Sequence, residues 1–416
     1  MLSGMPRAPK ASSSGARDVC LFRYHSPLNR VNWGGRATSL ALAGIVESTG
    51  RRVTQTIGAQ HIINQVSKLD RILDYSKVDE FADVIVRGGD LDNEHTSGLR
   101  RQLESVDELI VNGEGDFILT ERLTLFRTLG VMRAAQLMGK PVHLLNTMLS
   151  YGHPELRNDE TEAAAIAAIG GVLPGCASIM YRDPGSLALH QEMFPDLAAT
   201  WQPDALFSWA DQARTSLADR RAFDIFNEGV PLDVQRLLES DRPYVILSGS
   251  SLDVPEEAPT MTARVAELVE GLHARCLATV FVRSADPDDA WRKFLPPLEF
   301  EITSVKIPLA AAARLLWNSS VMISGRYHPS ILASLGGTPF ALMASNSHKT
   351  QTLGEVIPFP VRIPELPFFH ELESVEPLLG FVDNAIAGGK RLRRGIRKQA
   401  ASNGERVSAA IRSVLA

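Results

Sequence analysis

The segment Ile323-Ser324-Gly325-Arg326-Tyr327-His328-Pro329-Ser330 sets an arginine and a histidine two residues apart, where an apolar run gives way to a helical pattern. Arginine offers a bidentate fork to a carboxylate or phosphate, and histidine moves a proton near neutral pH. A helix start adds backbone amides and the positive end of a dipole. The structural alternative is an Arg326 paired with a carboxylate and a His328 that caps the helix. Downstream, Ser345-Asn346-Ser347-His348-Lys349-Thr350 is a polar run after another apolar stretch, and His348 and Lys349 suit phosphate oxygens. In the first half, Asn112-Gly113-Glu114-Gly115-Asp116 follows an apolar run. Gly113 and Gly115 let the backbone approach a ligand, and Glu114 or Asp116 suits a general base toward a sugar hydroxyl. The bland alternative is a tight turn with Asp116 as a helix cap. Asn32-Trp33-Gly34-Gly35-Arg36 repeats the arrangement, with Arg36 near a helix start. Arg182-Asp183-Pro184-Gly185-Ser186 and Ser248-Gly249-Ser250-Ser251 add two more loops, the second suited to phosphate through its amides.

Short apolar runs alternate with helical patterns, which predicts an α/β protein whose strands deliver these loops to a ligand. Strands are expected at 19–24, 83–87, 108–112, 142–146, 177–182, 243–248, 277–282, 302–307, 321–324 and 339–343. Helices are expected at 37–48, 123–139, 163–172, 186–193, 263–275, 309–317 and 330–335, with a mostly helical 378–415. The organisation reads as a disordered leader over 1–17, an acceptor-side α/β lobe over 18–210, and a helical connection over 211–241. A donor-side α/β lobe over 242–360 and a helical segment over 361–416 follow. Two Rossmann-like lobes facing a cleft place ligand groups at the carboxyl ends of the strands.

Composition narrows the function classes. The 416 residues, 44% hydrophobic and 22% charged, have the apolar content for two or three cores at roughly 150 residues per domain. The 43 Lys+Arg against 48 Asp+Glu give a net charge of −5, which argues against a nucleic-acid partner. Three cysteines, Cys20, Cys176 and Cys276, form no Cys-x-x-Cys pair, so a reducing cytoplasm is the expected compartment. Neither His-Glu-x-x-His nor Gly-x-Ser-x-Gly is present, and neither a metal nor a cofactor is expected. The run Lys390-Arg391-Leu392-Arg393-Arg394-Gly395-Ile396-Arg397-Lys398 reads as a solvated helix face. Peripheral contact with the anionic inner face of a membrane is the sharper alternative.

Taken together these residues resemble the polysaccharide pyruvyltransferase family. The resemblance lies in Asn32 to Gly34, Gly113 to Gly115, Arg182 to Ser186, Pro203-Asp204, Ser324 to His328, Gly337 to Pro339 and Lys349. It spans roughly 20–355, with two departures: Glu114 stands where many members have a third glycine, and Gly34-Gly35-Arg36 where many have Gly-Asp. The resemblance implies a glycosyltransferase-B-like fold without a metal, and transfer of the enolpyruvyl unit of phosphoenolpyruvate to a glycan or lipid-linked saccharide as a pyruvate ketal. On that reading Arg326 clamps the donor and His328 is its general acid or a phosphate ligand. Glu114 or Asp116 acts on the acceptor hydroxyl. Arg182, Ser248, Gly249, Ser250, Ser324, His348 and Lys349 fall on the donor side, and Asn32, Gly34, Arg36, Gly113 and Gly115 on the acceptor side. A nucleotide-sugar-dependent glycosyltransferase of the same fold is the alternative.

Overall fold

The computed structural model describes residues 15–25, 32–58, 74–89, 93–152, 154, 157–211, 213, 230, 232–252, 258–302, 307–357, 366–369 and 371–416. Two parallel sheets organise them. The first runs β2 (Arg52–Ile57), β1 (Asp18–Phe22), β3 (Glu108–Ile118), β4 (Val142–Ser150), β5 (Ser178–Tyr181), β6 (Thr200–Trp201) in spatial order. The second runs β11 (Phe340–Leu342), β10 (Val321–Gly325), β7 (Tyr244–Ser250), β8 (Ala278–Val282), β9 (Phe300–Ile302). β4 and β7 are buried along their whole lengths, as strands covered by helices on both faces must be. The chain is therefore an α/β protein of two Rossmann-like lobes.

Strand order decides where a ligand can sit. In the first sheet the chain goes from β1 to β2 on one side, then to β3 on the other. In the second it builds β7, β8 and β9 outward, then returns to lay β10 against β7. Loops diverge at such reversals and leave a crevice beyond the carboxyl ends of the strands. The residues after β1 and those ending β3 thus face the residues after β7 and β10.

Several expected elements changed. The run 83–87 is not a strand but the end of the helix Val78–Arg87, whose apolar residues Val78, Phe81, Ala82, Val84 and Ile85 cover one helical face. A β-branched run of five fits both periods, and length arbitrates. β2 and the helix Glu94–Glu104, capped by Asn93, were not foreseen. β2 is half exposed and polar, with no apolar run to betray it. The expected strand at 302–307 ends at Ile302, and residues 303–306 lie outside the described set, as do 1–14 of the leader and most of 211–231.

The helix Glu376–Leu415 is broken at Gly389, whose φ of 47° and ψ of −135° no helix contains. Its first part packs Leu378, Phe381 and Val382 on the second lobe. Its last part packs Val407, Ile411 and Leu415 against Val19 and Leu21 of β1. Two of the six basic residues in the run 390–398 are structural: Arg393 donates to the carbonyls of Trp317 and Ser319, and Arg397 to that of Gly336. Among the described residues no helix is long and apolar enough to cross a membrane.

Candidate active site

β10 ends at Gly325, and Arg326 turns the chain into the helix Tyr327–Leu335. The Arg326 guanidinium donates from Nε and Nη2 to Asp288 Oδ1 at 2.9 and 2.6 Å, and from Nη1 to Ser251 Oγ at 3.1 Å. Asp288 is wholly buried, and its other oxygen accepts from Ser284 N and Oγ and from Ala285 N at 2.9, 3.0 and 3.0 Å. A carboxylate so fully occupied holds the arginine in one orientation. Gly249 makes this approach possible, because a Cβ there would lie 2.1 Å from Asp288 Oδ1. Lys349 Nζ donates to the same Ser251 Oγ at 3.0 Å and to Asn346 Oδ1 at 2.6 Å. One hydroxyl therefore gathers two cations.

Between the lobes, Arg182 Nη1 stands 3.4 Å from Asp204 Oδ2 and 3.2 Å from His328 Nε2. His328 Nε2 is itself 3.2 Å from Asp204 Oδ2. A proton on Nε2 serves Asp204 and a bare Nε2 serves Arg182, so one ring nitrogen is shared by two opposed partners. Burial alone would raise the Asp204 carboxyl, but His328 and Arg182 hold it at about 2. Arg182 also lies over the Tyr327 ring at 4.4 Å. Gly34 brings the first helix against His328, since a Cβ there would lie 2.5 Å from the histidine Cβ.

The first lobe's contribution is different. Asp116 is buried, pairs with Arg23 and accepts from Thr128 Oγ1 at 3.0 Å. Burial pushes its carboxyl up to about 6, with Arg23 opposing and Glu114 adding to the rise. Glu114 has a left-handed φ of 38°, costly for a side-chain-bearing residue, and its Oε1 accepts from Asn112 Nδ2 at 3.0 Å. His25 Nε2 lies 3.7 Å from the same carboxylate oxygen. Burial lowers the His25 pKa against the pull of Glu114, with Arg23 and His328 adding to the fall, which keeps the ring neutral at pH 7. A buried chain, Asn112 Oδ1 to Asn146 Nδ2 to Thr38 Oγ1 to Asp204, each link 2.9 Å, joins this half to His328.

Arg23, His25, Arg182, Ser251, Arg326 and His328 line one cavity of about 270 Å³, with Asp204 and Asp288 buried behind them. Of the residues singled out in the sequence, Asn32, Glu114, Gly115, Asp116, Arg182, Arg326, His328 and Lys349 face it. The others do not. Arg36 is buried and donates to the carbonyls of Asn32 and Ile307, tying helix to loop instead of waiting for an anion. Ser248, Ser250 and Ser324 spend their hydroxyls on Ser284, the Ala344 carbonyl and the Arg326 amide. Gly249 and Gly34 are close-approach positions, and Gly113 is another, pressed on Thr147. His348 turns away and pairs with Asp183 at 3.1 Å. The sequence patterns did not single out Arg23, His25 or Asp288; they placed Ser251 in a loop suited to phosphate without a role of its own, and gave Asp204 no role. Arg23 and His25 directly follow β1, a position that could have been weighed; Asp288 sits in a charged loop with no distinguishing pattern. Among the described residues, no group of three or more His, Cys, Asp or Glu is placed to hold a metal ion.

No protein-family model matches this chain, and no curated protein does. Solved structures do. A UDP-GlcNAc 2-epimerase from Neisseria meningitidis bound to UDP-GlcNAc is similar, with a TM-score of 0.54 at 12% identity over 96% of this chain and 99% of that one. So is a UDP-N-acetylglucosamine 2-epimerase from Rickettsia bellii, at 0.55 and 11% over 96% of each. OtsA in its apo form gives 0.57 and 10%, over 96% of this chain and 99% of that one. The fold is of the glycosyltransferase-B type. At these identities the likeness carries the fold alone.

Proposed function

We propose that this protein is a transferase that binds a phosphate-bearing donor between its lobes and moves a group from it to a sugar hydroxyl. The observation that carries the reading is the division of charge across the cavity. Arg326 and Lys349 converge on Ser251 at one wall, and Glu114 and Asp116, the latter paired with Arg23, stand with His25 at the other. The first wall suits phosphate oxygens, and the second suits removal of a proton from a hydroxyl. Arg182 and His328, at the seam, stand where a leaving phosphate gains charge.

A nucleotide sugar is the donor that the structural neighbours support, since two of them are named for UDP-linked N-acetylglucosamine. In that transfer the acceptor oxygen bonds to the anomeric carbon and the anomeric carbon–oxygen bond breaks. The nucleoside diphosphate leaves with the electron pair, and the acceptor proton passes to the base. A second reading, pyruvyl transfer from phosphoenolpyruvate, is favoured by the cavity's size: about 270 Å³ of strongly polar space suits a small trianion. There the donor methylene takes a proton, two sugar hydroxyls add at the neighbouring carbon, and phosphate departs carrying the second proton.

A donor screen tests both. Purified protein is given UDP-sugars or phosphoenolpyruvate with a panel of saccharide acceptors, and nucleotide or phosphate release is followed. Release from one donor class, abolished in Arg326→Ala, is the expected result. Turnover that survives in Arg326→Ala would sink the placement of the donor.

A further inference from the structure

A second cavity, of about 650 Å³, lies on the other side of the 345–349 loop. The loop is a partition: Asn346 and Lys349 line the first cavity, while Ser345, Ser347 and His348 line the second. The opposite walls are the end of β4 with Tyr151, and the helix Pro184–Met193, which begins two residues after Arg182. The two spaces thus share structural members but differ in chemistry.

In the second cavity the cationic side chains already have carboxylates. Arg157 makes two bonds to Glu162, both 2.9 Å, and His348 is paired with Asp183. Glu192 adds a negative charge at the rim. Arg326 and Arg182 of the first cavity are paired as well, but among the described residues no lysine and only one arginine line the second, against Arg23, Arg182, Arg326 and Lys349 in the first, so less positive charge gathers here. What remains is a lining of neutral polar groups (Ser347, Gln351) beside the apolar surfaces of Tyr151, Pro154 and Leu189. Ser345 also lines this space, though its Oγ is buried and makes no hydrogen bond among the described residues.

We infer that this second cavity is a subsite for a neutral saccharide, the part of the acceptor remote from the reacting hydroxyl. A sugar offers hydroxyls to Ser347 and Gln351 and its C–H faces to Tyr151 and Leu189. Its position beyond the loop lets one chain of sugars lie along Ser347 while its end enters the cavity of Lys349 and Asp116. That the saccharide is an acceptor rests on the transfer reading above; that the cavity takes a neutral sugar does not.

The test uses the full chain and two independent probes. Saturation-transfer NMR reads binding of cellobiose, maltose, lactose and N,N′-diacetylchitobiose, and phosphorus NMR reads binding of inorganic phosphate. Ala188, exposed on the helix wall of the second cavity, is changed to Trp to fill that space. Gln351→Ala removes one donor without adding bulk. At least one disaccharide is expected to bind, tenfold or more weaker to Ala188→Trp and threefold or more weaker to Gln351→Ala, with phosphate binding unchanged in both. No disaccharide bound, or binding that neither substitution weakens, overturns the assignment. If phosphate fails to bind wild type while a disaccharide binds and responds to Ala188→Trp, the donor reading fails and the saccharide subsite stands.

Discussion

The two walls of the first cavity are built on different physical plans. On the second-lobe wall, every charged group is locked: Arg326 on Asp288, Asp288 on three donors, Lys349 and Arg326 on one hydroxyl. On the first-lobe wall, Glu114 holds a strained backbone, Asp116 is buried at the cost of a raised pKa, and His25 is kept neutral. The first plan fixes charge in place, as electrostatic recognition of an anion requires. The second holds the Asp116 carboxyl at about 6, within reach of the pH at which it exchanges a proton. The difference teaches that binding and proton transfer can be divided between lobes, each shaped by its own strand reversal.

Substitutions on the two walls should therefore fail in different ways. The largest effect is expected for Arg326→Ala: transfer should fall by on the order of 10³-fold, with donor binding lost in calorimetry. If only the pH profile moved, the division between walls would be wrong. Asp204→Asn comes next. It leaves Arg182 and His328 without their shared carboxylate, and breaking a buried pair costs about 3 kcal/mol, readable as a lowered urea midpoint. Because Asp204 is held below its unfolded value, its stabilisation is present above about pH 4 and lost as pH falls through about 2. Asp204→Asn should be the less stable at neutral pH and converge with wild type in acid.

Asp116→Asn tests the other wall with the opposite sign. Its folded pKa of about 6 exceeds the unfolded value, so wild type should lose stability as pH rises from about 4 to 6, by up to about 3 kcal/mol. Asp116→Asn should flatten that slope in urea melts, and abolish any rise in turnover centred near pH 6. Donor affinity should stay within a factor of two. The smallest effect is expected for Ser251→Ala, which removes one neutral hydroxyl at about 1 kcal/mol, or fivefold in donor affinity. A larger loss would mean that the hydroxyl touches the donor as well as gathering the cations.

Much of this was legible from residue patterns, for a physical reason. Apolar runs such as Tyr244 to Leu247 announce buried parallel strands, and polar residues after them must face the crevice, so Arg326, His328, Glu114, Asp116 and Lys349 could be picked out. Arg36 could not be separated from them, because its fate depends on the Ile307 carbonyl, distant in sequence. His348 differs from Lys349 only by the direction its place at the helix start gives it. Asp288 was illegible for a similar cause: its value lies in meeting Arg326, and nothing near it along the chain says so. Ser251 stood in a loop that suits phosphate, but its meeting with Arg326 and Lys349 is again long-range. The strand expected at 83–87 failed because local preference for β was overridden by the apolar face that the longer helix presents.

The broken helix at the end of the chain bears on how the protein is made. Val407, Ile411 and Leu415 cover the face of β1 that carries Val19 and Leu21, so the first strand and the final turns are parts of one core. During synthesis, Leu42, Ile45 and Val46 of the helix Trp33–Glu47 cover that face first, and the final turns complete the cover only after the strands of the second lobe have been made. The core of the first lobe thus closes out of the order of translation, after the helix Glu376–Leu415 has first packed on the second lobe.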